Sequence, residues 1–256
     1  MSGISCRDYF GKNASHYATS QVHKSGPSLP ALIKLAAPTK SDFALDVATG
    51  TGHTAIAVAP FVQQVTGVDL TPRMLEEAGR LAAEAQLDNV TFVEGTAESL
   101  PFSDANFSLV TSRHAPHHFR HVDRFLSEVR RVLKPDGRLV MSDQIALSPD
   151  AFDWIDFWER TRDPSHFRQR TIDEWKALVA DAGLAWNEHQ IVPYRLEFDW
   201  WVKTAGANGY AVAALENHAR AADESVRASC GLEFDENGRV KAFRESMLVV
   251  RCDVVT

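Results

Sequence analysis

The stretch FALDVATGTG, residues 43–52, constrains the fold more than any other part of the chain. Phe43, Ala44, Leu45, Val47 and Ala48 form a short apolar run of the length that a strand buried on both faces requires. It ends in Thr49-Gly50-Thr51-Gly52, where two glycines let the backbone turn tightly and approach a ligand closely. The following HTAIAVAPF reads as a helix, whose free N–H groups point back at whatever the loop holds. QVTGVDL, residues 64–70, reads as a second buried strand that carries Asp69 at its tip. An acid there, about 20 residues beyond the glycine loop, is placed to accept hydrogen bonds from ribose hydroxyls. These features together describe a site for a nucleoside cofactor.

Two kinds of nucleoside fit the loop. Gly50-Thr51-Gly52-His53-Thr54-Ala55 satisfies the dinucleotide pattern GxGxxG/A, which admits an NAD(P)-dependent oxidoreductase. Asp46, four residues before Gly50, argues the other way. A carboxylate at that position opposes a pyrophosphate and suits a cationic ligand, such as a sulfonium that also bears an amino group. Asp46 can equally cap the turn by accepting loop N–H groups, and the two roles are compatible.

Four segments then follow in order: LDVATGTGHTA, GVDLTPRMLEEA, VEGTAESLPFSDANFSLV and VRRVLKPDGRLVMSD. In them the chain resembles the class I S-adenosylmethionine-dependent methyltransferases, in the type 11 group similar to the ubiquinone/menaquinone-biosynthesis C-methyltransferases. The resemblance runs from Phe10 to Gln144. It implies a Rossmann-like, seven-stranded, mostly parallel α/β sheet with helices on both faces, the last strand antiparallel, and helical cap insertions. It also implies S-adenosylmethionine as cofactor, with S-adenosylhomocysteine as product. In the family an aromatic N-terminal segment folds over the cofactor; Phe10, Ala14 and Tyr17 match it here, though Phe10 and Tyr17 also suit the core of a docking helix. The resemblance further assigns Ala48, Thr49, Gly50, Gly52, Asp46 and Asp69 to the cofactor, with Leu70 and Met74 against its adenine. Ala97 would offer its backbone N–H to the adenine. Many relatives carry Asp where this chain has Thr96, so the exocyclic amine falls to Thr96 Oγ1 or to Glu98. The backbone of Arg113 would face the methionine part, and His114 the substrate.

His114, His117, His118 and His121 fall within eight residues, at a spacing that would put them on one helical face. No carboxylate or thiolate completes a ligand set and Pro116 interrupts the turn, so no metal is expected. His117 and His118 are candidate proton acceptors, because imidazole titrates near neutrality; helix capping or packing accounts for them as well.

At 256 residues the chain suits a single methyltransferase domain: a cap segment at 1–40, a cofactor core at 41–147, and substrate-side insertions at 148–170 and 196–246. The first insertion crowds Phe152, Trp154, Ile155, Phe157 and Trp158 together, which predicts an apolar substrate pocket with Trp154 and Trp158 in it, or tryptophans that anchor a surface helix. Thr171–Ala182 reads as a helix with a capping box from Thr171 to Glu174. Lys134-Pro135-Asp136-Gly137 reads as a helix stop, 185–194 and 247–255 as the last two strands, and Tyr210–Ala228 as one long helix that serves a cap or a dimer surface. No apolar run approaches the ~20 residues of a membrane span, and the N-terminus lacks a secretory signal's apolar centre, so a cytoplasmic location is expected. Cys6, Cys230 and Cys252 are widely spaced and suggest neither disulfides nor a thiolate metal site. A net charge of −7 disfavours a nucleic-acid partner and leaves a small-molecule acceptor. A SAM-binding protein without catalysis, or an RNA-modifying one, is the other class to separate.

Overall fold

The computed structural model describes residues 6–147 and 149–255. Met1–Ser5, Ser148 (the expected start of the first insertion) and Thr256 lie outside the described residues. Three helices lead the chain: α1 (Cys6–Thr19), α2 (Gln21–Ser25) and α3 (Ser28–Ala36). The core then alternates β1 (Phe43–Val47), α4 (His53–Val58), β2 (Gln64–Asp69), α5 (Pro72–Glu84), β3 (Val90–Glu94), β4 (Phe107–Arg113), α6 (Val122–Val132) and β5 (Leu133–Gln144). It continues as α7 (Pro149–Arg162), α8 (Ile172–Asp181), β6 (Leu184–Glu197), α9 (Phe198–Thr204), α10 (Gly209–Ala221), α11 (Glu224–Cys230), β7 (Glu233–Phe234) and β8 (Val240–Val254).

The strands lie in the order β3-β2-β1-β4-β5-β8-β6, with β7 paired to β8. β1 to β5 run parallel, and β8 enters antiparallel between β5 and β6. The seven expected strands are therefore present, with β7 as a two-residue addition. Strand order reverses between β1 and β4, and in open α/β sheets a ligand crevice forms at that switch, beyond the strands' carboxyl ends.

Apolar side chains fill both faces of the sheet. Phe125, Leu126 and Val129 of α6 pack on one face together with Trp175 and Val179 of α8. Leu32 and Leu35 of α3 and Val58 of α4 pack on the other. A third cluster joins Trp158, Phe198, Trp201, Leu215 and Phe243 from α7, α9, α10 and β8.

Three local expectations are corrected. The alanine-rich helix is two helices: α10 stops before Ala222, and Asp223 caps α11 by accepting from Val226 N at 2.8 Å. Lys134-Pro135-Asp136-Gly137 is a bulge in β5, because Leu133 already pairs with Phe107 and the register resumes at Leu109 with Arg138. The last two strands begin earlier or run longer than their apolar stretches suggest, at 184–197 and 240–254, since each pairs with the other along most of its length.

Candidate active site

At the switch point the loop after β1 and the tip of β2 are tied together. Asp69 accepts from Gly50 N through Oδ2 and from Thr71 N through Oδ1, each at 2.9 Å. Both oxygens are thereby fixed in direction, and burial raises the carboxyl's pKa. Asp46 lies below the loop, where its two oxygens accept from Thr49 Oγ1 at 2.6 Å and Thr111 Oγ1 at 2.7 Å. Burial pushes Asp46 up to about 6, against the pull of these two hydroxyls. Gly52 has φ +79°, and a Cβ there would lie 3.0 Å from Ala78 Cβ and from the Phe92 ring. Glycine is thus demanded twice, by the turn and by the close packing of α4 on α5 and β3.

The loop, the β2 tip and the turn after β3 enclose a cavity of about 330 Å³. Asp46, Ala48, Thr49, Gly50, Asp69, Leu70, Met74, Thr96, Ala97, Glu98, Arg113, Tyr17 and His114 all line it. Gly52 caps α4 instead of lining the wall. Phe10 and Tyr17 of α1 form the roof; their rings meet edge to face at 5.5 Å, and Phe10 meets His118 at 4.9 Å.

Of the assigned side chains, Glu98 is partly engaged elsewhere. Glu98 Oε1 accepts from His121 N, the residue that opens α6, at 3.0 Å, while its Oε2 has no donor among the described residues. Thr96 Oγ1 accepts from Glu98 N at 3.1 Å and keeps its own proton to donate. The guanidinium of Arg113 donates to Thr54 Oγ1 at 3.0 Å and to His23 O, and so fastens α2 to α4 under the cavity.

The four histidines do not share a helical face. A 3-10 turn over Pro116–His118 separates them, and His114 sits at φ +54°. Tyr194 Oη donates to Ser28 Oγ at 2.6 Å, and Ser28 Oγ lies 3.3 Å from His114 Nε2. Burial and the Arg113 charge hold His114 well below its ordinary pKa, so it is neutral. His117 Nδ1 lies 2.6 Å from Asp143 Oδ1, and His118 Nδ1 lies 3.0 Å from Ser165 O. His121 is the N-cap residue of α6. Among the described residues no group of three His, Cys, Asp or Glu is arranged to hold a metal.

Phe10, Tyr17, His23, His114 and His118 also line a second, adjoining chamber of about 60 Å³. Its walls include His117, Gln144, Arg162, Asp163, Trp201 and Glu245. The sequence reading expects apolar walls, with Trp154 and Trp158; the structure places both in the third core cluster, where Trp158 stacks on Trp154 at 4.8 Å and on Trp201 at 5.3 Å. Neither lines the cavity or the chamber. The polar lining went unseen because its parts are far apart in sequence. The only local signal was Glu245, a charge set against the unbroken apolar run MLVV.

A methyltransferase-domain family profile matches residues 45–141. The uncharacterized methyltransferase YcgJ of Bacillus subtilis is 37% identical over 235 residues, covering 91% of this chain and 93% of YcgJ. The chain belongs to the S-adenosylmethionine-dependent methyltransferases. The crystal structure of YcgJ superposes with a TM-score of 0.86, over 90% of this methyltransferase and 98% of YcgJ. That of BH2331 from Bacillus halodurans C-125 gives 0.86 at 32% identity, over 90% and 100% of the two chains. The demethylmenaquinone methyltransferase of Deinococcus radiodurans is 44% identical over 100 residues, which is 38% of this chain and 41% of that one. The oxidoreductase alternative falls with this membership. The wall chemistry suits the methyl donor, since a fixed carboxylate at Asp69 matches a ribose diol and the Asp46 carboxylate suits a cation.

Proposed function

We propose that this methyltransferase moves a methyl group to an O, N or C nucleophile of a small molecule. The observation that supports it is the second chamber, which α1 and α2 help to line and which shares Phe10, Tyr17, His23, His114 and His118 with the cofactor cavity. An acceptor enclosed there has to be small, or has to reach in through a slender group.

In this reading Asp69 holds the ribose hydroxyls, while Leu70 and Met74 cover the adenine. Ala97 offers its N–H to the ring, and Thr96 Oγ1 or the unengaged Oε2 of Glu98 accepts from the exocyclic amine. Ala48, Thr49 and Gly50 with Asp46 below them hold the methionine end, beside the Arg113 backbone. The bound sulfonium supplies an electrophilic methyl. The chain's own work is to align the acceptor with it and to exclude water, which the aromatic roof does.

The test has two parts. S-adenosylhomocysteine is titrated calorimetrically into the wild type and Asp69→Ala, with an expected loss of about tenfold to a hundredfold, as fits removal of a hydrogen-bonded charge. Cell extract is then incubated with the enzyme and methyl-labelled donor. Label in the low-molecular-weight fraction supports the reading; label confined to RNA or protein overturns it.

A further inference from the structure

We propose that the second chamber is an amine subsite, in which a small primary or secondary amine is the methyl acceptor and His117, backed by Asp143, takes its proton. This rests on the small-molecule reading above and narrows it.

Two buried groups are left open toward the chamber. Asp163 is 3% exposed, and its Oδ1 accepts both from Ser165 N at 2.8 Å and from Ser165 Oγ at 2.6 Å. Its Oδ2 has no donor among the described residues, although Asp163 lines the chamber. His117 is 8% exposed; Asp143 Oδ1 lies 2.6 Å from its Nδ1, and Nε2 has no partner among the described residues, so a ring protonated at Nδ1 would offer the Nε2 lone pair to the chamber. Burial and the neighbouring imidazoles His118 and His166 hold His117 well below its ordinary pKa, so the ring is neutral.

The charge balance selects the ligand. Arg162 is the sole guanidinium or ammonium in the wall among the described residues; its Nε donates to Trp201 O at 3.2 Å, and Glu159 stands 3.9 Å away. Against this one cation are Asp163, Glu245 and, behind them, Glu159. Burial raises the pKa of both glutamates, and the Glu245 charge raises Glu159 further, so the pair holds on to a proton that a bound cation would displace. An entering ammonium meets the acceptor that Asp163 Oδ2 offers. His117 Nε2 then takes one N–H proton, leaving a neutral amine with a lone pair. That pair forms the N–C bond to the methyl carbon as the C–S bond breaks, and the C–S electrons stay on sulfur as a neutral thioether. Positive charge thus moves from sulfur to nitrogen, toward the carboxylates, which stabilise it in the transition state. An oxyanion or carbanion acceptor would bring negative charge against the same groups.

The experiment uses the full chain, with and without saturating S-adenosylhomocysteine. Ethylamine, 2-phenylethylamine and putrescine are titrated beside their matched alcohols and carboxylates. At least one amine is expected to bind tenfold or more tightly than its alcohol and carboxylate, and Glu245→Gln or Asp163→Asn should remove most of that preference. For the amine that turns over, His117→Gln should lower kcat at neutral pH and shift the pH profile upward, where the amine is neutral unaided. Carboxylates or alcohols binding as well as every amine, no amine binding at all, or an unchanged pH profile in His117→Gln would overturn the inference. Binding of S-adenosylhomocysteine alone in the same samples reports separately on the cofactor site, so the two readings fail independently.

Discussion

At the scale of single residues, Asp46 shows how a site can be legible while its energetics are not. Its position before the glycine loop pointed to the cofactor, and it lines the cavity. The hydroxyls that hold it come from Thr49, three residues on, and from Thr111 on β4; only the first was near enough in sequence to be anticipated. The folded-state pKa is about 6, above the ordinary carboxylate value. Because the native state binds this proton more tightly than the unfolded chain does, the group's stabilising effect is complete below pH ~4 and lost as pH rises to about 6. Asp46→Asn removes that titration. Its Tm should therefore fall less than that of the wild type between those pH values, by the equivalent of up to about 3 kcal/mol, in thermal melts across the series. Parallel curves would show that Asp46 is already ionised in the native state at low pH.

At the scale of elements, the strand–loop–helix alternation of the core was readable because each piece carries its own period and its own stop. Thr171, whose side chain accepts from Glu174 N while the Glu174 carboxylate accepts from Thr171 N, is the clearest example. The break at Asp223 was written in equally local chemistry, yet the alanine-rich periodicity on both sides concealed it. The roof over the cofactor was harder still, because it depends on side chains distant in sequence. Gly26 joins α2 to α3 beneath Tyr194, and an added Cβ would lie 2.3 Å from Val22 O and 2.8 Å from Tyr194 Oη. The first neighbour is backbone and cannot swing away. Gly26→Ala should consequently displace α2, cost about 1–3 kcal/mol through overpacking, and loosen the roof. Limited proteolysis is expected to cut the N-terminal segment faster in this variant and S-adenosylhomocysteine to protect it less. Unchanged digestion would mean that the junction yields without moving α2.

At the scale of the whole molecule, the second insertion is part of the fold and not an appendage, because one strand runs through both cores. β8 contributes Phe243 and Met247 to the tryptophan cluster and Leu248, Val250 and Cys252 to the main sheet core. It is hydrogen-bonded on one side to β5, in the cofactor half, and on the other to β6. Loss of the cluster would leave the first half of β8 without its apolar cover, and with it the pairing that completes the sheet. Trp158 is the centre of that cluster: it is fully buried and within ring contact of Trp154, Phe198, Trp201 and Phe243. Truncating it should cost about 3–5 kcal/mol, as large-to-small changes of buried aromatics do. If β8 couples the halves, guanidinium unfolding followed by tryptophan fluorescence and by far-ultraviolet circular dichroism should give superimposable curves. Trp158→Ala should then move both midpoints together. Fluorescence changing first, with the dichroism transition left in place, would mean that the insertion melts by itself over a persisting sheet. In that case the chamber between the two halves would open before the cofactor site is lost, and bound S-adenosylhomocysteine would stabilise only the second transition.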